Sequence, residues 1–224
     1  MPNEVFHTTL GISVLFLVSG CLELGFSLVA QSQKQQKPDN GEDAVHHLLS
    51  GMMPLTAGTA NGALTLATFA FAMLGLMAPM RSWLKTGGYL ITICGLFTLC
   101  LGLYLWIMTL RLKDNFFPTY LQQTPAVQSV IQQTFQCCGY YNATTPAFVT
   151  DSTCPSPAAA ALLRGCGTAI SGFANAYLDT IFTTLFGIVG LDVILILSIA
   201  CLLKERKERE RYRHIEEKSG FRQF

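Results

Sequence analysis

Four long stretches of this sequence hold almost nothing but apolar residues: Thr8–Ala30, Leu55–Ala78, Gly87–Leu110 and Thr180–Leu203. A helix needs about 20 such residues to cross the hydrocarbon core of a bilayer, and all four stretches reach that length. The second and third contain no charged residue; the first contains only Glu23 and the fourth only Asp192. Charged residues make up 13% of the chain, against roughly 25% in an average soluble domain. In lipid every backbone polar group must be satisfied internally. The sequence therefore predicts an all-α membrane protein with four transmembrane helices in an up-down bundle. The expected spans are residues 8–30, 54–78, 87–110 and 180–203. They separate an N-terminal segment (1–7), a small outer loop (31–53), an inner loop (79–86), a large outer loop (111–179) and a tail (204–224).

Leu28-Val29-Ala30 faintly resembles a signal-peptide cleavage site. The residues before the first span include Glu4 but no Lys or Arg, and the apolar run is too long, so it is read as a span.

Net charge is only +1, but the fifteen Lys and Arg are unevenly placed. Lys34 and Lys37 follow the first span, and Arg81 and Lys85 lie between the second and third. Arg111, Lys113 and Arg164 lie between the third and fourth, and the other eight are in the tail. An even number of spans puts both termini on one side, with ten basic residues against five. Lys and Arg resist translocation, so both termini are expected to be cytoplasmic. The large loop is then extracellular or lumenal, where disulfides persist.

That loop carries Cys137-Cys138-Gly139, followed by Cys154 and Cys166. Adjacent cysteines pair with each other only through a strained ring, so each is expected to reach elsewhere. The sequence leaves three connectivities open. Two disulfides closing loops of about 17–30 residues would contribute roughly 3 kcal/mol each on the chain-entropy model, which suits a domain with few apolar residues. Neither Cys-x-x-Cys nor a nearby His points to a metal or redox site.

Gln31–Gly41 is polar and turn-rich, so the small outer loop is expected to have little fixed structure. Pro54 suits the first turn of the second span. In the large loop, Arg111–Gln123 is expected to continue the third span as helix. Thr124-Pro125 reads as an N-cap followed by proline, and Val127, Val130, Ile131, Thr134 and Phe135 have helical spacing. Residues 140–166 are expected to be mostly loop with a short helix over Ala158–Leu163, and Gly172–Asp179 to lead as helix into the fourth span.

Asn142-Ala143-Thr144 is an N-glycosylation acceptor on the expected outer side. Small residues recur at helix-packing spacing: Gly58 and Gly62; Gly88, Gly95 and Gly102; Ser13, Gly20 and Ser27. Such stripes let helices approach closely, within the bundle or in a homo-oligomer. Glu23 and Asp192 should face the bundle interior. Glu23, Asn61 and Tyr104 lie at similar depth and are expected to form one hydrogen-bonded layer, with Asp192 level with Thr65 and Thr98. Cys201 at the inner membrane edge suits palmitoylation, and Cys94 is a second candidate. Cys21 and Cys100 are read as packing residues. The alternating charges of Lys204–Arg211 read as a helix extending the fourth span, with Lys204 and Arg206 at anionic headgroups. Tyr212-Arg213-His214-Ile215 has the form of a sorting signal, carried by Tyr212 and Ile215.

Four spans, a short first and longer second outer loop, Cys137-Cys138-Gly139 and two later cysteines together resemble the tetraspanin family over essentially the whole chain. The resemblance implies pairing of Cys137 with Cys166 and of Cys138 with Cys154. It matches Asp192 to the family's acidic position in span four and Cys201 to its acylated juxtamembrane cysteine. It also implies a non-enzymatic organiser that binds other integral membrane proteins, in some members with a sterol such as cholesterol or ergosterol among the spans. The chain departs from the pattern at Glu23, lacks the span-three acid around Cys100–Leu101, and has a short large loop. The features look most like divergent fungal tetraspanins, which are associated with infection structures and polarised growth. Plasma membrane or endosomal and vacuolar membranes are the implied locations.

The rival reading is a small transporter or channel using Glu23 and Asp192. Its usual signs, a broken helix in matching halves and an inverted repeat, are missing from the sequence. A claudin-like adhesion protein needs cysteines in the first outer loop, which has none. No nucleophile–base set appears, and His46-His47 alone is weak, so no enzymatic activity is expected. Nor does this topology suit nucleic-acid binding.

Overall fold

The computed structural model describes residues 2–33, 40–77, 81–145 and 148–218. Lys34 and Lys37, and Ala78 at the end of the second expected span, lie outside these residues. Among the described residues the chain forms eight helices and no strand. They are α1 (Pro2–Gln33), α2 (Gly41–Met52), α3 (Leu55–Met77), α4 (Arg81–Leu110), α5 (Leu112–Leu121), α6 (Pro125–Phe135), α7 (Pro157–Ala161) and α8 (Cys166–Lys218). Four of them, α1, α3, α4 and α8, are long and apolar enough to cross a membrane. Only 28–33% of the most apolar part of each is buried. Large side chains such as Leu22, Leu74, Ile93 and Leu197 remain more than half exposed. Apolar surface of that extent needs a non-aqueous surrounding.

The chain divides into two compact units: a membrane unit of residues 1–25, 57–100 and 185–224, and a stapled unit of residues 26–56 and 101–184. In the membrane unit, Phe16 of α1, Leu76 of α3, Leu84 and Ile91 of α4 and Leu195 and Ile199 of α8 form one buried cluster. Small residues set the contacts. A Cβ on Gly62 would stand 2.8 Å from the backbone nitrogen of Leu24, and one on Gly20 2.8 Å from the Thr65 methyl. Without a hydrophobic drive between helices in lipid, such close approach supplies the packing.

In the stapled unit the structure departs from the sequence reading at two places. Part of the segment expected to be the small outer loop is helix α2, whose Ala44, Val45 and Leu49 are at most 1% exposed. Its first turn docks on α6 through Gly41 N–H donating to Thr134 Oγ1 at 3.1 Å. Tertiary packing of this face, absent from any reading of local polarity, stabilises the helix. The expected continuous helix from span three breaks at Arg111, whose φ of −124° and ψ of 21° end α4 and open α5. Helix α6 begins at Pro125 with Thr124 as its N-cap. In α7, the Ser156 hydroxyl accepts from the Ala159 N–H at 3.3 Å, a side-chain N-cap.

Candidate functional site

The membrane unit holds a buried polar layer built from α1, α3, α4 and α8. Asn61, completely buried on α3, donates both amide hydrogens: to Glu23 Oε2 at 2.8 Å and to Thr98 Oγ1 at 2.9 Å. Thr98 in turn donates to the Cys94 carbonyl at 3.0 Å, and Thr65 to the Asn61 carbonyl at 2.9 Å. Asp192, 2% exposed, lies against Gly95, where a Cβ would come 3.2 Å from Asp192 Oδ2. Glycine at 95 thus leaves room for a carboxylate flat against α4. Three buried oxygens of this layer have no hydrogen-bond partner: Glu23 Oε1, Asn61 Oδ1 and Asp192 Oδ1.

Tyr104, expected in this layer, is 51% exposed and outside the network. Six residues beyond Thr98, it is turned about 240° around α4; depth along a span does not fix the face. Thr98 makes the contact instead. Cys94 is 1% exposed with its thiol 3.3 Å from Thr68 Oγ1, so acylation there would have to open the core. Cys21 and Cys100, read as packing residues, are exposed; each stands a step off the packed stripe of its helix.

At the other end of α1 and α8, Glu4, Val5, Thr8, Thr9, Ile194, Leu197, Ser198 and Cys201 line a cavity of about 430 Å³. Thr8, Thr9 and Ser198 turn their hydroxyls back to carbonyls of their own helices. Cys201 is exposed. Arg206, expected at the headgroups, donates instead to the Gly75 and Leu76 carbonyls at 3.3 and 2.7 Å. It thereby caps the C-terminus of α3, where a cation is favoured. Arg81 pairs with Glu210. Beyond this clamp Tyr212 and Ile215 are 67% and 61% exposed on the α8 helix.

In the stapled unit, Cys137 is bonded to Cys166 and Cys138 to Cys154. The adjacent cysteines diverge because left-handed residues flank them: Gln136 (φ 49°), closing α6, and Gly139 (φ 68°). That turn lets the Gly139 and Tyr140 carbonyls accept from Cys166 N–H at 2.9 Å and Gly167 N–H at 2.8 Å. Gly165 leaves room for the Tyr140 and Tyr141 carbonyls, which any Cβ there would meet. Tyr140, itself fully buried, packs its ring at a tilt against Phe117 and Tyr120, with centroids 5.1 Å apart in both pairs. Burial pushes the Tyr120 hydroxyl up to about 12, helped by the Asp151 charge.

Sequence reasoning missed the latch of this unit. Asp151 accepts from Cys154 N–H (2.7 Å), Thr153 N–H (2.8 Å), Gln132 Nε2 (2.9 Å) and Ser129 Oγ (3.1 Å). Burial works to raise its carboxyl, but the hydrogen bonds from Cys154, Gln132, Ser129 and Thr153 outweigh it and hold it below the usual value. The Asp-Ser-Thr turn at 151–153 carried a local signal; Gln132, reached across 19 residues, carried none. His46 of α2 packs edge-on against Phe173 and Tyr177, at 5.0 and 4.5 Å between centroids. Burial lowers its imidazole below the usual value, with His47 adding to the effect and Asp43 and Glu42 opposing it. Asn142, at the glycosylation sequon, is exposed, and its Oδ1 accepts from the Thr144 N–H at 3.0 Å and hydroxyl at 2.9 Å. No group of three or more His, Cys, Asp or Glu able to hold a metal occurs among the described residues.

No protein-family model matches the chain, and no curated protein matches it.

Proposed function

We propose that this chain is a tetraspanin-type, non-enzymatic membrane scaffold that associates laterally with other integral membrane proteins and with lipids. The observation that carries the reading is the divergence of Cys137 and Cys138 to separate partners, Cys166 and Cys154, in the segment between two apolar helices. A pair of staples at one branch point makes a rigid recognition module out of a short loop, as a scaffold needs. The order of contacts supports an up-down arrangement of the spans. Gly20 meets Thr65 while Gly62 meets Leu24, Gly75 meets Trp83 while Gly87 meets Ala72, and Gly88 meets Ile199 while Gly95 meets Asp192. In this reading the termini are cytoplasmic, Asn142 is glycosylated, Cys201 is acylated beside the α1/α8 cavity, and the protein works at the plasma membrane or in endosomal and vacuolar membranes.

Affinity purification in mild detergent, with crosslinking and mass spectrometry, tests the proposal. Integral membrane proteins should co-purify with the intact chain, and a subset should be lost from Cys138→Ser/Cys154→Ser. Recovery of the chain without enriched membrane partners would overturn the reading, as would ion flux in proteoliposomes that Asp192→Asn abolishes.

A further inference from the structure

We propose that the buried polar layer of the membrane unit is a monovalent-cation site, in which Glu23 and Asp192 hold a proton or a sodium ion with the Asn61 carbonyl oxygen as a further ligand. The argument rests on the donor inventory. The layer presents three buried oxygens without a partner, Glu23 Oε1, Asn61 Oδ1 and Asp192 Oδ1, and all three are acceptors. Two of them belong to side chains at most 2% exposed. The neighbouring donors are spent elsewhere. Both Asn61 N–H groups serve Glu23 Oε2 and Thr98, the Thr98 hydroxyl serves the Cys94 carbonyl, and the Thr65 hydroxyl serves the Asn61 carbonyl.

Charge leads the same way. None of the fifteen Lys and Arg lies within the four apolar stretches, and an unpaired carboxylate in hydrocarbon is strongly disfavoured. The titratable groups facing Glu23 from the packed helices are the Asp192 carboxyl of α8 and the Cys94 thiol of α4; α3 contributes Asn61, Thr65 and Thr68, which do not titrate. None of these brings a positive charge. Oxygen-only ligands favour a hard cation. Calcium fills a shell of about six to eight oxygens and magnesium an octahedral one; the three oxygens here suffice for a proton, or for a sodium ion that completes its shell with water.

The intact chain, purified in detergent, gives the test. Its thermal midpoint is compared in sodium chloride and choline chloride at equal ionic strength and pH 7, while infrared spectroscopy reads the carboxylic-acid C=O stretch. If sodium is the occupant, the midpoint rises by about 3–6 °C for each tenfold increase in sodium above its dissociation constant. Choline leaves it unchanged, and Asp192→Asn abolishes the rise. If a proton is the occupant, a protonated-carboxyl band is present at pH 7 and diminishes in Glu23→Gln or Asp192→Asn. Equal midpoints in the two salts together with no protonated-carboxyl band in the wild-type protein would overturn the proposal. Both of those measurements are made on the unaltered chain, so a variant that fails to fold leaves the test intact.

Discussion

Single side chains decide how polar groups survive inside this molecule. Asn61 is the hub of the membrane unit, because its two N–H groups serve partners on α1 and α4 at once. Asn61→Leu removes both donors and leaves the Glu23 carboxyl without its hydrogen-bond donor; unfolding in detergent should show a loss of about 2–3 kcal/mol. His46 makes a pH-dependent contribution. Its folded-state value is depressed, so the stability it confers is complete above the ordinary histidine value of about 6.5 and is lost as pH falls below it toward the folded value. His46→Phe keeps an aromatic ring against Phe173 and Tyr177 and should flatten the midpoint-versus-pH curve of the stapled unit in that window. An unchanged slope would contradict the assignment. Asp151 works with the same sign at lower pH, its contribution fading as pH falls from the usual carboxylate range through its depressed value. At this scale the sequence was partly legible. Glu23 and Asn61 were recognisable as polar residues inside spans, whereas Thr98 replaced Tyr104 because a helix face, and not depth alone, selects partners.

Whole helices are positioned by where they lack side chains. Gly62 sits on the Leu24 backbone, so Gly62→Val should force α1 and α3 apart at a cost of about 1–3 kcal/mol. Gly11, with nothing within 4 Å of a Cβ, provides the contrast: Gly11→Ala should be neutral or stabilise by about 0.5–1 kcal/mol through helix propensity. Thermal midpoints of the two variants, measured in the same detergent, separate packing from propensity. The length of the apolar runs revealed the four long helices, and Thr124-Pro125 marked the start of α6. Helix α2 was hidden because its short apolar face, Ala44, Val45 and Leu49, acquires its meaning only against α6. The break at Arg111 was hidden as well, since the residues on both sides favour helix.

For the molecule as a whole, the two disulfides close separations of 29 and 16 residues. The chain-entropy model assigns them about 3.6 and 3 kcal/mol. Cys137→Ser/Cys166→Ser should therefore destabilise the stapled unit at least as much as Cys138→Ser/Cys154→Ser, as read by protease resistance of the 111–179 segment. Peptide mapping without reduction should find all four of these cysteines bonded; a free thiol at Cys137 or Cys138 in protein purified from membranes would contradict the fold.

Composition and the length of its apolar runs determined the class of this protein, because hydrocarbon imposes a length and an apolar content that four segments meet whatever surrounds them. Local chemistry likewise marked the turns and the need for staples in a polar segment. The tertiary structure alone decided which face of α4 meets Asn61 and that Gln132 reaches Asp151. Those contacts join residues distant in sequence, and their energies depend on burial and direction, which no local pattern encodes.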